Sequence, residues 1–298
     1  MDFRIETFLC VCRTMNYTKA ADELCITQPA VSQHIGHLER QYGVQLFTKT
    51  GRRIRLTPAG ALLRDTMTVM KNDEHKIALR LKSLKNPVHT LSIGVTMTIG
   101  EYVLPHPAAV YMKAHRETNM HIHYGNTARL MREIDAGEID CALVEGYYPY
   151  KNYEHMTFRS EKFIPVCSSS HVFSRPPEKL SDLLPERLIL REKGSGTRNI
   201  LERNLAVKNL AVTDFPHCVT VENMHSIIEL LKEDCGISFL YEIAARRELE
   251  KGTLRAIELQ DFSMTHDFDF VWAKGSIFSQ EYRRICSELT ADSRPDFI

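Results

Sequence analysis

Four hydrogen-bonding side chains share one face of a predicted helix near the start of the chain: Gln28, Ser32, Gln33 and His34. The opposite face carries an apolar stripe at positions i, i+4 and i+7, formed by Val31, Ile35 and Leu38. Thr27 can cap this helix, and Pro29 lies in the first turn, where its missing N–H costs nothing. Amide and hydroxyl side chains on the exposed first turns of a helix are suited to reading base edges in the major groove of DNA.

A shorter helix precedes this one, and a tight turn joins the two. Ala20, Ala21 and Leu24 fall on one face at helical spacing, and Thr18 is placed to cap the start. We therefore predict a helix-turn-helix over residues 18–37. An ordinary helical hairpin with a polar outer face has the same local pattern, so the surrounding segments must decide between the two.

A basic hairpin is predicted next, over residues 47–57. Gly51 marks its turn, and Arg52 and Arg53 lie at the tip, where cations can reach phosphates or an adjacent minor groove. A solvated basic turn without a partner is the alternative. Beside a recognition helix, such a hairpin is a wing, so residues 1–57 are predicted to form a winged helix-turn-helix domain.

Residues 58–89 are predicted to form the linker and dimerisation segment, whose long helix runs without a breaker to about Lys85 and is ended by Pro87. Its apolar residues recur at alternating spacings of four and three, which is typical of a heptad seam. Because polar faces flank the seam, we predict that the helix pairs with its copy in a second subunit, so that two heads read an inverted repeat. The seam residues are Leu63, Met67, Met70, Ile77, Leu81 and Leu84.

Length and charge agree with this division. The chain has 298 residues, too many for one small core, so two or three domains are expected. The formal net charge is zero, yet residues 1–57 hold eight basic against five acidic residues and residues 58–89 hold six against three. A basic N-terminal third on a mildly acidic body suits a DNA-binding domain joined to a regulatory one.

Two further features bear on location. No apolar run approaches the roughly 18 residues that span a bilayer, and the N-terminus lacks a signal-peptide pattern, so we expect a cytoplasmic protein with no membrane partner. The eight cysteines are scattered and form no CxxC pair, which predicts reduced, buried thiols and no metal site.

From residue 90 onward, short apolar strands alternate with helices, which predicts a parallel sheet with crossover helices. A second set of strands begins near residue 163, and the end of the chain is expected to return to the first set. Ligands of open α/β sheets bind beyond the carboxyl ends of the strands, here in a cleft between two lobes. The predicted effector-binding domain, 90–298, comprises lobe I (90–162 and 267–298) and lobe II (163–266).

Two polar segments, 96–102 and 191–198, follow predicted strands and open helices. Hydroxyl and backbone N–H groups at a helix N-terminus favour an anion, and Lys193 and Arg198 can add full charge. We therefore predict a small anion clasped between the lobes; for residues 194–197 a plain helix cap without a ligand is the alternative. The candidate effector contacts are Thr96, Met97, Thr98, Tyr102, Glu145, Ser195, Gly196, Thr197 and Arg198.

The ordered N-terminal motifs closely resemble the DNA-binding domain of LysR-type transcriptional regulators. These motifs are Ala-Ala-x-x-Leu, Thr-Gln-Pro-Ala-Val-Ser, His-Leu-Glu, Leu-Phe and Arg-x-Leu-Thr-Pro-Ala-Gly, in order between Phe3 and Gly60. The resemblance implies a winged helix-turn-helix, a linker helix and a two-lobed effector domain of the periplasmic-binding-protein type. It also implies a homodimer through the linker helix, a dimer of dimers, an inverted-repeat operator, and RNA polymerase as a further partner.

The resemblance carries the DNA contacts of the family onto individual positions. The contacting helix corresponds to Gln28, Pro29, Ala30, Ser32, Gln33 and His34, and the wing tip corresponds to Arg52 and Arg53. With the capping residue Thr27, these complete the predicted DNA-binding set.

The two effector segments are similar to the LysR-type branch tied to sulfur assimilation and related anion sensing. That similarity implies sulfite, sulfate or a similar oxyanion as effector, although related sequences sense organic acids; no cofactor is expected. Met97 departs from the branch, which usually has a small hydroxyl residue there, and Tyr147 and Tyr148 crowd the loop after Glu145.

Two other classes of protein fit parts of the pattern. An enzyme is disfavoured because Ser195 lies outside a Gly-x-Ser-x-Gly elbow, and because the chain has no phosphate-binding loop and no His-Glu-x-x-His motif. A small-anion-binding protein of the solute-receptor class would share the two-lobed body. The N-terminal reader and the lack of a secretion signal disfavour that class.

Overall fold

The computed structural model describes residues 1–50, 53–83 and 89–291. By its internal contacts the chain divides into two compact units. Unit 1 comprises Met1–Pro87, Asp135–Gly137 and Ala273–Phe278, and unit 2 comprises Val88–Ile134, Glu138–Trp272 and Ser279–Ile298.

Unit 1 begins with three helices, α1 (Phe3–Thr14), α2 (Tyr17–Glu23) and α3 (Gln28–Tyr42). Their shared core buries Phe8 and Val11 of α1 against the predicted stripe of α3, where Val31, Ile35 and Leu38 are all buried. The prediction of this stripe is confirmed. The helix-turn-helix corresponds to α2, a short turn and α3.

The capping predictions for these helices have different outcomes. Thr27 caps α3 as predicted, accepting a hydrogen bond from the Ala30 N–H at 3.4 Å. Thr18, however, is not the cap of α2. Asn16 has that role, because its side-chain oxygen accepts from the N–H groups of Thr18 and Lys19 at 2.8 and 3.1 Å, which places Thr18 inside the helix.

The wing is a two-stranded antiparallel hairpin of β1 (Phe47–Thr50) and β2 (Arg53–Leu56). Gly51 and Arg52, predicted for its tip, lie outside the described residues. The next helix is α4 (Pro58–Ser83), and its first turn packs closely against the segment that precedes the wing. The Thr57 hydroxyl donates to the Gln45 carbonyl oxygen at 2.7 Å and accepts from the Gly60 N–H at 2.9 Å. A Cβ at Gly60 would overlap the Leu46 carbonyl oxygen, so this approach requires glycine.

The predicted seam of α4 divides between two environments. Leu63 and Met67 pack against the core of α1–α3, so these two are partly used within the chain's own unit 1. Met70, Ile77 and Leu81 are exposed, Leu81 to 61%. Leu84 lies outside the described residues. The periodicity did not separate residues that face the chain's own core from residues that face outward.

Unit 2 is built on one mixed sheet with the strand order β4-β3-β5-β11-β6-β9-β7-β8, in which β10 pairs with β6. The strands are β3 (His89–Val95), β4 (Thr118–Tyr124), β5 (Cys141–Glu145), β6 (Tyr153–Ser168), β7 (Leu188–Leu190), β8 (Cys218–Thr220), β9 (Ile237–Tyr241), β10 (Leu254–Ala256) and β11 (Met264–Ala273). The helices are α5 (Met97–Tyr102), α6 (Pro105–Ala114), α7 (Thr127–Ala136), α8 (Gly196–Val207), α9 (Met224–Lys232), α10 (Glu242–Glu250) and α11 (Ser279–Ala291).

The two lobes of unit 2 share this sheet. Strand β3 pairs in parallel with β4 and β5 in lobe I, and β7 pairs in parallel with β8 and β9 in lobe II, as the alternating pattern predicted. The long strands β6 and β11 run across the predicted lobe borders, and they pair antiparallel with β9 and β5. The chain therefore passes between the lobes inside strands, which makes the sheet mixed and not purely parallel.

Gly60→Ala should lower the free energy of unfolding by about 1–3 kcal/mol, because the added methyl group overlaps a backbone oxygen. Gly36→Ala is the matched control. The nearest atom to a Cβ at Gly36 is a side-chain nitrogen of Arg40 at 3.6 Å, and alanine inside a helix stabilises by roughly 0.5–1 kcal/mol over glycine. Urea denaturation followed by circular dichroism compares the variants. A Gly60→Ala variant as stable as the wild type would contradict the close approach.

Candidate functional site

One carboxylate joins the two polar segments predicted at the strand ends. Glu145 is the last residue of β5, and its side chain is 1% exposed. The Thr96 hydroxyl, just before α5 in lobe I, donates to Glu145 Oε2. The Thr197 hydroxyl, in the first turn of α8 in lobe II, donates to Glu145 Oε1 at 3.1 Å. Hydroxyl groups from both lobes therefore meet on Glu145.

The backbones of the two lobes also come into contact at this point. A Cβ at Gly196 would overlap the Glu145 carbonyl oxygen, and the Thr127 hydroxyl donates to that same oxygen at 2.7 Å. Gly146, which has φ +88°, lies against the backbone of Gly196 in the same way. Glycine at position 196 is thus required for the first turn of α8 to reach the end of β5.

Several buried polar groups around Glu145 lack a hydrogen-bond partner among the described residues. They include the hydroxyls of Thr98 and Ser195, two residues from Thr96 and Thr197 respectively, and the Tyr241 hydroxyl at the end of β9. Arg191, at the end of β7, is 3% exposed. Its Nε and Nη2 donate to Glu192 at 2.9 and 3.2 Å, but its Nη1 has no partner. Unsatisfied buried polar groups of this kind are uncommon in proteins, and a bound polar ligand is one way in which they become paired.

Burial dominates the electrostatics of the site. It raises the pKa of the Glu145 carboxyl above its ordinary value of 4.5, while the Thr96 hydroxyl, the Arg191 charge and the Thr197 hydroxyl oppose that rise. Burial, reinforced by the charge of Glu145, also raises the pKa of Tyr241. The pKa of Glu101 is raised by burial as well, against the charge of Arg191.

The structure brings four of the nine predicted effector residues into direct contact: Thr96, Glu145, Gly196 and Thr197. Thr98 and Ser195 are buried two residues away from Thr96 and Thr197. Met97 and Tyr102 instead pack against the hydrophobic core of lobe II. The two tyrosines of the loop after Glu145 are engaged elsewhere. The Tyr148 hydroxyl donates to Asp269 at 2.8 Å, and the Arg203 guanidinium lies over the Tyr147 ring.

The structure gives the surroundings of the two predicted cations, Arg198 and Lys193, whose role at the site stays a prediction. The Arg198 Nε donates to Glu202 one helical turn away, at 2.7 Å, and its Nη1 donates to the Arg191 carbonyl oxygen at 3.2 Å; Lys193 is exposed. Arg191 is the buried cation. The sequence did not single out Arg191, Thr127 and Tyr241 for this site. The signal for two of them was their position, since Arg191 directly follows the apolar strand β7 and Tyr241 is the last residue of the apolar strand β9.

The predicted DNA-reading face of α3 is largely open. Thr27, Gln28, Pro29, Ser32 and Gln33 are exposed, as is Arg53 of the wing, and Ala30 is half-buried. Arg52 lies outside the described residues.

His34 differs from its neighbours on this face. It is half-buried, its Nδ1 lies 2.9 Å from the Thr7 hydroxyl, and its ring meets Phe3 edge-on. The ring therefore holds α3 against α1, a packing role that its position on the polar face did not predict.

Among the residues that the structure describes, no group of three or more His, Cys, Asp and Glu side chains is arranged to hold a metal ion. No helix in the described part of the chain has both the length and the apolar character needed to cross a membrane.

Two family models match the chain. Residues 4–61 match the model described as bacterial regulatory helix-turn-helix protein, lysR family. Residues 85–292 match the LysR substrate binding domain. The matched DNA-binding model is not that of an enzyme or of a solute receptor.

Similar proteins extend over nearly the whole chain. The uncharacterized HTH-type transcriptional regulator MJ0300 of Methanocaldococcus jannaschii is 28% identical over 261 residues, 87% of this chain and 88% of that protein. The HTH-type transcriptional regulator CysL of Bacillus subtilis is 27% identical over 272 residues, 90% of this chain and 89% of that protein. The regulatory domain of CcmR from Synechocystis PCC6803, solved in complex with 2-PG, has a TM-score of 0.60 at 16% identity. That likeness covers 70% of this chain and 98% of CcmR's, and it shows the fold alone.

Glu145→Gln should remove one component of the pH dependence of stability. Because the folded chain holds the Glu145 proton at a pH where the unfolded chain has lost it, the wild type loses stability relative to this variant as the pH rises above 4.5. The difference grows by at most about 1.4 kcal/mol per pH unit. Denaturation followed by fluorescence of Trp272, the single tryptophan, measures it in unit 2. The exposed Glu138→Gln is the control, and a difference that stays constant with pH would contradict the prediction.

Proposed function

The chain belongs to the LysR family of DNA-binding transcriptional regulators and carries an effector-binding domain, and we propose that it responds to a small anion bound between the two lobes. We further propose that it binds an inverted-repeat operator as a dimer or tetramer in the cytoplasm, with RNA polymerase as a further partner. The candidate effectors are sulfite, sulfate or an organic acid.

The observation that carries the effector proposal is the shared carboxylate. Hydroxyls of Thr96 and Thr197, one from each lobe, hold the Glu145 carboxylate, so hydrogen-bonding groups of both lobes converge at one place. The unpartnered hydroxyls of Thr98 and Ser195 and the Nη1 of Arg191 supply further donors. The 2-PG bound to the similarly folded CcmR regulatory domain supports an effector of this size in the domain.

Regulation requires that the effector bind two arrangements of the lobes with different affinity. A ligand held by donors from both lobes satisfies this condition, because separating the lobes removes half of its contacts. Since Thr197 lies on α8 and Thr96 lies next to α5, movement of either helix changes the affinity.

The dimer proposal rests on the outward side of α4. Met70, Ile77 and Leu81 leave apolar surface exposed on a helix of 26 residues, and pairing with a second copy would bury it. Leu63 and Met67 contribute less to such an interface than the seam suggested, because they already pack on the core of unit 1.

Thr197→Val should weaken binding of the effector about 10- to 100-fold, because it removes the lobe II hydroxyl that holds the buried Glu145 carboxylate in the site. Arg198→Ala is the control at the neighbouring position and should change affinity less than about threefold, since its guanidinium is engaged with Glu202. Thermal unfolding is followed by Trp272 fluorescence in the presence of sulfite, sulfate and a set of organic acids. A ligand at 100 times its Kd stabilises the folded protein by about 2.7 kcal/mol. The proposed anion site is wrong if no compound raises the unfolding temperature of the wild type, or if both variants respond to the compounds as the wild type does.

Substitutions on the DNA side should separate sequence reading from general affinity. Ser32→Ala or Gln33→Ala should cost about 1–3 kcal/mol on the operator and little on other DNA, because base contacts specify. Arg53→Ala should weaken binding to all DNA and reduce the salt dependence by about one phosphate contact. Fluorescence anisotropy at several salt concentrations distinguishes the two. Equal losses on operator and random DNA for Ser32→Ala would contradict its reading role.

A further inference from the structure

The charge around Glu145 conflicts with simple binding of an anion. Glu145 interacts with one guanidinium, that of Arg191, and this guanidinium is also paired through two nitrogens with Glu192. Arg191 acts on the carboxyl of Glu101 as well. Arg191 is thus shared among three carboxyl groups, and Glu145 itself places a carboxyl group where a further anion would bind.

We propose that Glu145 makes the interlobe site selective for oxyanions that carry a hydroxyl donor, such as hydrogen sulfite, hydrogen phosphate or a hydroxy acid, over fully deprotonated oxyanions such as sulfate. The inference rests on the proposed anion site and names the class of effector that this site accepts.

The selectivity follows from the inventory of donors and acceptors. An ionised carboxylate only accepts hydrogen bonds, and sulfate also only accepts them. Two acceptors in contact repel each other unless one proton lies between them. A ligand O–H that donates to Glu145 supplies that proton, whereas sulfate can bind only if Glu145 itself takes a proton from solvent and donates it to the sulfate oxygen. In both cases the bound pair holds one proton in all.

The remaining oxygens of the ligand have donors available. The hydroxyls of Thr98 and Ser195 and the Nη1 of Arg191 are buried and have no partner among the described residues. Each can donate to an oxyanion oxygen without breaking an existing hydrogen bond. The site therefore combines donors for the anionic oxygens with one acceptor, Glu145, for a hydroxyl.

The surroundings of Glu145 set the direction of the pH dependence. The groups that face it are Thr96 beside α5, Thr197 of α8, Arg191 after β7 and Tyr241 of β9. Burial raises the pKa of the Glu145 carboxyl, so protonation occurs at a higher pH than for an exposed glutamate. Sulfate affinity should consequently fall as the pH rises, by up to tenfold per pH unit.

The test compares two tetrahedral oxyanions, hydrogen phosphate and sulfate, with sulfite as a third probe, on the full chain by calorimetry at neutral pH. The wild type should prefer hydrogen phosphate and sulfite over sulfate at least tenfold. Glu145→Gln, whose amide can donate, should bind sulfate more tightly and reduce that preference to within about threefold. Titrations in two buffers of different ionisation enthalpy should show more proton uptake per sulfate bound by the wild type than by Glu145→Gln, which has no carboxyl group to protonate at this position.

Two controls keep the outcomes separate. Glu145→Asp keeps the carboxylate and should keep the preference, and Trp272 fluorescence verifies that each variant is folded. If the probes bind the wild type and Glu145→Gln leaves their ratio unchanged, the selectivity proposal is overturned while the anion site stands. If none of the three probes binds the wild type and organic acids with and without hydroxyl groups bind equally, the selectivity proposal is also overturned. If no anion binds at all, the proposed function fails as well.

Discussion

Two threonine hydroxyls from opposite lobes meet on one buried carboxylate, and the geometry of unit 2 depends on that meeting. Thr96 and Thr197 can both reach Glu145 only because Gly196 lets α8 approach the end of β5. Arg191 is buried as well, and in the described part of the chain its Nη1 has no hydrogen-bond partner. Since buried polar groups are costly unless they are paired, this contact also makes the cleft the place where a ligand can gain most.

The parts of the molecule that sequence predicted well are those set by neighbouring residues. The apolar stripe of α3, its Thr27 cap and the polar segments after strands were all readable, because helical spacing and capping are local properties. The predicted cap of α2, Thr18, was wrong by two residues. Asn16 and Thr18 are both good capping residues, and the local pattern does not choose between them. DNA contacts and effector contacts stay predictions.

What sequence could not supply are the pairings made by the fold. Arg191 and Arg198 lie in the same predicted polar segment. Arg198 pairs with Glu202 one helical turn away, whereas Arg191 directly follows a buried strand and acts on Glu145. Likewise, the α4 seam has one period throughout, while α1–α3 cover Leu63 and Met67 and leave Leu81 exposed. Periodicity identifies a face, and only the tertiary arrangement identifies what covers it.

The path of the chain through the shared sheet has a consequence for synthesis. Strand β5 is flanked by β3 and β11, but β11 is translated only after all the strands of lobe II. At about 5–20 residues per second, roughly ten seconds pass on the ribosome between the two strands. During that time one edge of β5 is open, and its Cys-Ala-Leu-Val sequence is a ready template for pairing with another chain. Until β11 emerges and pairs with β5, this edge of the nascent protein stays open to pairing with another chain.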